Sequence, residues 1–380
     1  MHLDALFSSE NELMHNIGAQ QPVVLSTRIR LARNLNRHVF PGRAKPPQRQ
    51  AVQTLCLSAV GELTKLKKGH IYRMNELDGS EKALLVERHL ISKELASGTD
   101  GAVAISRDQT CSIMVNEEDH LRIQVVRGGF HLKRAWKQAD QIDSALETQL
   151  ELAYSSRLGY LTACPTNVGT GLRASAMLHL PGLMLAGQME RVVRAVNQDG
   201  LAVRGWFGEG SDASGCIFQI SNQHTLGLSE PEILNHLVHW LKSIIEQEEN
   251  ARLCLFDEDA QKLFDRIARA YGTLRHARLL TSAEAMDALS FLRLACDLGM
   301  LPRENRALID RLFIESQPAH IQAAASIELE PKERDFARAQ LFRECFNALP
   351  ELGFDIFAND RKPDATDAPA DGTDGDKPKA

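Results

Sequence analysis

The sequence predicts an α+β protein, a mainly antiparallel sheet flanked by helices and followed by a small all-helical C-terminal domain. Three observations carry that expectation. Between Gly101 and Gly128 the short apolar segments AVAIS, CSIMV and LRIQVV are separated by the turn-like SRDQT and NEEDH, and such brevity and alternation favour antiparallel strands. Helical apolar spacing runs from about Leu132 to Arg157 (Trp136, Ile142, Leu146, Leu150, Leu152) and again from Pro231 to Glu249 (Ile233, Leu237, Leu241, Ile244), so both helices should pack on the sheet. The elements mix freely, without the βαβα alternation of a doubly wound sheet.

Taken in chain order, the first informative stretch is STRIRLARN, Ser26 to Asn34. With Arg37 and Arg43 its arginines, Arg28, Arg30 and Arg33, concentrate positive charge in a chain of formal net charge −6. A focused anion site fits that pattern better than nucleic-acid binding, which needs a broadly basic face. NEEDHLRI, Asn116 to Ile123, sets three consecutive acids beside a histidine and an arginine. CPTNVGTGLRAS, Cys164 to Ser175, places a cysteine and an arginine around the turn Gly169, Thr170 and Gly171, where glycine lets the backbone approach a ligand or a neighbouring chain closely. RGWFGEGS, Arg204 to Ser211, adds an arginine and a glutamate on an expected loop. Acids facing arginines point to phosphoryl transfer, yet no Walker-type GxxxxGK occurs.

After about Arg252 strand signals fade. Thr281 with Glu284 makes a capping box ahead of Met286, Leu289, Leu292 and Cys296 on one face, and Pro331 is placed to open a last helix reaching Leu349. From Ala358 onward DRKPDATDAPADGTDGDKPKA offers no aliphatic residue larger than alanine, too little apolar area to offset ordering entropy. The expected division is therefore a catalytic domain at 1–254, a helical domain at 255–355 and a disordered acidic tail at 356–380.

At 380 residues, with 43% hydrophobic and 25% charged residues, the chain has room for two domains and the composition of a soluble globular protein. No apolar run approaches the roughly 18 residues of a membrane helix, and the acid-bearing N-terminus is not a secretory signal. Seven cysteines without a CxxC pair argue against a zinc site or a disulfide framework, and a reducing cytoplasm is expected.

Those four motif segments, in that order, resemble the catalytic domain of the phosphagen (guanidino) kinases, whose signature is the C-P-T-N-hydrophobic-G-T string. The resemblance runs from about Val23 to Leu352. It is closest to the bacterial protein-arginine kinase branch, because STRIRLARN lies near the start of the chain and SNQHTLGLSE, Ser221 to Glu230, follows the GEGS loop.

The resemblance implies ATP with Mg²⁺ held by phosphates and water rather than by a protein cage. Glu118 is implied as the general base, Glu209 as its partner across the acceptor, and Cys164 as a group that orients the guanidinium without being phosphorylated. Arg28, Arg30, Arg122, Arg173 and Arg204 match the arginines that bind the nucleotide phosphates. His89, in LVERHLIS, matches a histidine beside the adenine, with a purely structural histidine as the alternative. These types suit the chemistry. A guanidinium has a pKa above about 12, so its attack on phosphorus needs carboxylates that orient it and take a proton. Permanently charged arginine forks neutralise the moving phosphoryl group. Arg33, Arg37 and Arg88 are expected to be surface or packing residues, and the six other cysteines buried and inert.

In the helical domain Arg334, Asp335, Arg338 and Ala339 form RDxxRA, which looks like the phosphoarginine-binding motif of that branch. The i, i+4 spacing puts both arginines on one helix face, and an ordinary salt-bridged surface reads the same way. The short segment ahead of STRIR leaves no room for the lid domain of small-molecule guanidino kinases, so an arginine still attached to a protein is the expected acceptor. Phe207 adds an apolar neighbour to Glu209. A small-molecule guanidino kinase and a non-catalytic phosphoarginine-binding scaffold are the competing functions. The branch also implies protein substrates, a McsA-like activator, a Clp-type ATPase/protease in stress response, and a homodimer.

Overall fold

Residues Arg28 to Leu31 alternate arginine with an aliphatic side chain, and in the computed structural model Val24–Arg33 forms the long central strand of the molecule. The structure describes Leu3 and residues 22–206, 214–325 and 327–354. Its strands are β1 (Val24–Arg33), β2 (His70–Arg73), β3 (Ala102–Ile105), β4 (Cys111–Val115), β5 (Leu121–Gly128), β6 (Tyr154–Ser155), β7 (Gly159–Tyr160), β8 (Leu172–His179), β9 (Leu201–Gly205) and β10 (Ile217–Asn222). The helices are α1 (Pro46–Glu62), α2 (Gly79–Glu87), α3 (Lys93–Ser97), α4 (Leu132–Glu147), α5 (Pro181–Leu185), α6 (Met189–Gln198), α7 (Glu230–His276), α8 (Ser282–Asp297), α9 (Asn305–Glu315), α10 (Pro318–Ala324) and α11 (Pro331–Asn347). Eight strands make one sheet in the order β2-β3-β4-β5-β1-β8-β10-β9, every pair antiparallel, while β6 and β7 form a separate hairpin. The α+β expectation holds.

Strand periodicity gives the sheet two unlike faces. On one, Ile29, Leu31, Ile123, Val125, Leu172, Ala174 and Ile220 are buried beneath α1, α4, α6 and the first part of α7. On the other, the larger apolar clusters lie at the flanks. Val103, Ile105 and Met114 pack with Leu84, Leu85 and Leu95 of α2 and α3, and Met177, Ile217 and Trp206 pack against the C-terminal helices. Between these clusters lies an arginine strip.

Several elements differ from expectation. The helix expected to reach Arg157 ends at Glu147, because the next segment is drawn along the end of β1. Asn36 N–H donates to Glu151 O, Ala153 N–H donates to Asn34 O, and Leu35 bridges Leu152. Arg204 belongs to β9 rather than a loop. The helix expected to end near Glu249 continues unbroken to His276, so the position expected to divide the domains, 254/255, falls inside α7. The capping box at Thr281 forms, with Met286, Leu289, Leu292 and Cys296 all buried, and the last helix starts at Pro331 as expected. Cys56, Cys111 and Cys296 are buried, but Cys254 is exposed on α7, contrary to the uniform burial expected of the thiols. The tail at 356–380 lies outside the described residues. No helix among the described residues is long and apolar enough to cross a membrane.

Candidate active site

Register brings the arginines together. Arg30 on β1 stands opposite Gln124 on β5 and Arg173 on β8, Arg28 opposite Ser175, and Arg122 opposite Ala32. On β10 Gln219 stands opposite both Met177 and Arg204. Opposed residues share a face, so all five family-matched arginines project from the same side of the sheet. Arg33, of opposite parity, instead points into the apolar side, where Asp143 of α4 meets it at 2.6 Å. Arg28 donates to Gln219, and Arg173 donates to Ser221 Oγ at 3.3 Å.

Crowded cations lower one another's pKa. Burial, then Arg173 and Arg122, push Arg28 down to about 10. Arg30 is lowered by burial, then by Arg28, Arg122 and Arg173, and Arg173 by burial, Arg204 and Arg122. The Nε atoms of Arg30 and Arg173 are buried with no hydrogen-bond partner among the described residues. Such a strip is unfavourable alone and is relieved by a polyanion, so the donor set fits nucleotide phosphates.

The three adjacent acids of NEED have three fates. The Glu117 side chain is fully buried, 2.6 Å from Arg122, accepting also from Ser92 Oγ at 2.7 Å. Glu118 is 40% exposed and 3.2 Å from Arg122; burial raises its carboxyl pKa against the lowering effect of Arg122. Asp119 is buried and accepts from Asn34 Nδ2 and from the Ala163 N–H, both at 2.6 Å, so it ties the cysteine loop to the acidic turn. Cys164 opens the 3₁₀ turn Pro165–Asn167, with Sγ 3.0 Å from Thr166 Oγ1. Thr225 fastens the far side of the loop by donating to Val168 O at 2.6 Å. Gly171 is required here. It sits at φ 64, and a Cβ would lie 2.6 Å from both Ala32 O and an Arg33 guanidinium nitrogen.

These constraints put Arg30, Arg122, Arg173, Glu118, Cys164 and Gly171 around one cavity. An adjoining cavity is lined by Arg28, His89, Ser175 and Gln219. Burial, then Arg28, push His89 down to about 3, leaving it neutral, and its ring meets Trp206 edge-on at 5.3 Å. Arg204 is exposed at the strip's edge. Glu209 and Phe207 lie outside the described residues. Sequence reading missed Glu117, Asp119, Asn34, Gln219 and Ser221, although the F-Q-I-S alternation of β10 carried the signal for the last two.

The RDxxRA cluster differs from its expected form. Arg338 and Ala339 fall on the buried stripe of α11 with Phe342 and Phe346. The Arg338 guanidinium donates to Ser316 O at 2.7 Å, Leu280 O at 2.8 Å and Asp335 at 2.7 Å. Only Arg334, which donates to Leu329 O at 2.7 Å, and Asp335 are half-exposed, so the two arginines do not form an open pair.

The chain matches known proteins over most of its length. Residues 51–251 match the family profile described as ATP:guanido phosphotransferase, C-terminal catalytic domain, and residues 260–356 match the protein-arginine kinase McsB C-terminal domain. The protein-arginine kinase of Symbiobacterium thermophilum is 45% identical over 90% of this chain and 98% of its own length. The chain belongs to the protein-arginine kinase family. A second protein-arginine kinase, from Brevibacillus brevis, is also 45% identical, over 87% of this chain and 94% of its own. In fold this protein-arginine kinase chain is similar to lombricine kinase, with a TM-score of 0.55 and 26% identity over 63% of this chain and 71% of that one. It is also similar to the duplicated taurocyamine kinase of Schistosoma mansoni, with a TM-score of 0.55 and 25% identity over 60% of this chain and 33% of that one.

Proposed function

We propose that this protein transfers the γ-phosphoryl group of ATP to arginine side chains of proteins. The supporting observation is the single cavity in which Glu118, Cys164 and Arg122 face Arg30 and Arg173, whose buried Nε atoms have no partner among the described residues. In the proposed reaction an acceptor guanidinium nitrogen forms the N–P bond, the bond from the γ-phosphorus to the bridging oxygen breaks, and ADP leaves. Glu118 takes the nitrogen's proton, which its burial-raised pKa favours. Glu117 holds Arg122 in place, Cys164 orients the acceptor, and Glu209 is assigned as the second carboxylate from the sequence motif. Arg28, Arg30, Arg122, Arg173 and Arg204 hold the phosphates, and His89 borders the base. Mg²⁺ carried in with the nucleotide would supply further charge neutralisation beside the arginines.

Family membership alone supports the further assignments: a cytoplasmic enzyme, a homodimer, a McsA-like activator and delivery of marked proteins to a Clp-type ATPase/protease under stress. Arg334, Asp335, Arg338 and Ala339 are proposed from their motif as a phosphoarginine site, with Arg334 and Asp335 the groups such a ligand meets first.

Incubation with Mg·ATP and an unfolded protein should yield acid-labile phosphate mapped to arginine. Glu118→Ala should keep nucleotide binding and lower that yield about 10²–10⁴-fold, the usual share of a positioned base. Unchanged turnover in this variant would remove Glu118 from the mechanism.

A further inference from the structure

The C-terminal helices reach the candidate nucleotide cavity through one buried clasp. Glu87 is the last residue of α2, and its carboxylate accepts the Ala319 N–H at 2.8 Å, the His320 N–H at 3.1 Å and His320 Nδ1–H at 2.8 Å. With its Nδ1 proton committed to Glu87, His320 presents Nε2 as an acceptor for Arg88 Nε at 3.2 Å. Both neighbours thus fix one tautomer. Glu87, Arg88 and His320 are all buried.

The next residue is His89. Its backbone is in the left-handed region at φ 56, a conformation that costs a non-glycine residue energy and persists where the surroundings impose it. Its carbonyl accepts from Gln124 Nε2 at 2.7 Å, directly across the register from Arg30. Its ring meets Trp206, which in turn lies 6.0 Å from Phe313 of α9. The helical unit therefore grips His89 twice, through Glu87 and His320 on the backbone side and through Phe313 and Trp206 on the ring side.

We infer that Glu87 is a positioning residue for nucleotide binding: by clamping α2 to α10 it holds His89 in its left-handed conformation against the Arg28 cavity. This rests on the proposed nucleotide site. Glu87 touches no reacting atom, so its loss should weaken ground-state nucleotide binding and leave the chemical step alone, which appears in KM rather than kcat.

The test compares Glu87→Gln and His320→Asn with Arg306→Gln in the full-length protein. Arg306→Gln weakens the join between the units elsewhere, where the Arg306 guanidinium donates to Pro22 O at 2.8 Å. Thermal midpoint, Kd for ATP by calorimetry, and kcat and KM for ATP are measured for each. Glu87→Gln should raise Kd and KM for ATP about tenfold with kcat within twofold, His320→Asn should act in the same direction, and Arg306→Gln should lower the midpoint without moving KM. If Glu87→Gln and His320→Asn shift KM no more than Arg306→Gln does, the clasp is only structural and the inference falls. Wild-type protein that binds no ATP would overturn the nucleotide site itself, and with it any role for the clasp at that site.

Discussion

At the scale of single residues, the acidic turn shows how composition and placement divide the information. NEEDH announces a reactive mixture, and the motif singles out Glu118, but three neighbouring acids acquire different roles through partners both near, Arg122, and far away in sequence. Ser92 and Arg122 bury Glu117, while Asn34 and Ala163 bury Asp119. His120 completes this hub: Nδ1 accepts the Leu35 N–H at 3.0 Å and Nε2 donates to Val39 O at 3.1 Å. Burial pushes its pKa down to about 4 from an ordinary 6.5. Below pH 6.5 the unfolded chain therefore takes up a proton that the folded chain refuses. Stability should fall as the pH drops from 6.5 towards 4, by at most about 1.4 kcal/mol per unit from this group. The carboxyls of half-exposed Glu118 and buried Asp119, both raised in pKa by desolvation, work in the opposite direction, so the informative quantity is a difference. His120→Gln should flatten the fall of the denaturation midpoint between pH 6.5 and 4 relative to wild type. Equal slopes in the two proteins would show that His120 contributes nothing to the pH dependence.

Among elements, β3, β4 and β5 were legible because each is a short apolar run between turn signals. The strands carrying most of the site were not. β1, β8 and β10 alternate arginine, serine and glutamine with apolar residues, and their polar side makes sense only once eight strands are in register. Helix ends failed for a related reason, since Leu150 and Leu152 keep helical spacing while backbone bonds to β1 draw the chain out of the helix. The glycine turn was legible as a turn, but its crowding was not. Gly171 and Gly187 both have positive φ, 64 and 66, yet nothing stands within 4 Å of a Cβ at Gly187. Gly187→Ala should therefore cost only the left-handed strain, about 1–2 kcal/mol. Gly171→Ala adds displacement of Ala32 O and Arg33, about 1–3 kcal/mol more, and should disturb the cavity it borders. Urea denaturation of the two variants gives the comparison, and equal losses would refute the crowding argument.

For the whole molecule, the division into a catalytic and a helical part read from composition is bridged by one continuous helix and by a buried polar network. Arg293 of α8 is fully buried and donates to Asp310 at 2.8 Å, to Pro22 O at 2.6 Å and to His179 Nδ1 at 3.1 Å. His179, at the end of β8, meets Ser290 through Nε2 at 2.8 Å. Arg252 of α7 spans Glu248 at 2.6 Å and Asp297 at 2.9 Å. None of this is visible in sequence, where Arg293 is one arginine in a helical stretch. Such a network joins β8 of the arginine strip to α8 and α9, so the two parts should unfold together, with circular dichroism of the helices and tryptophan fluorescence of the sheet domain tracing one transition. Arg293→Met leaves Asp310 buried without its cation and should cost about 3–5 kcal/mol. Replacing both partners, Arg293→Met with Asp310→Leu, should recover most of that loss, because the buried charge that carries the penalty is removed along with the attraction. A double variant as unstable as the single one would mean that the cost lies in the lost contacts to Pro22 and His179, and two separate transitions in the wild-type protein would show that the network does not join the two parts.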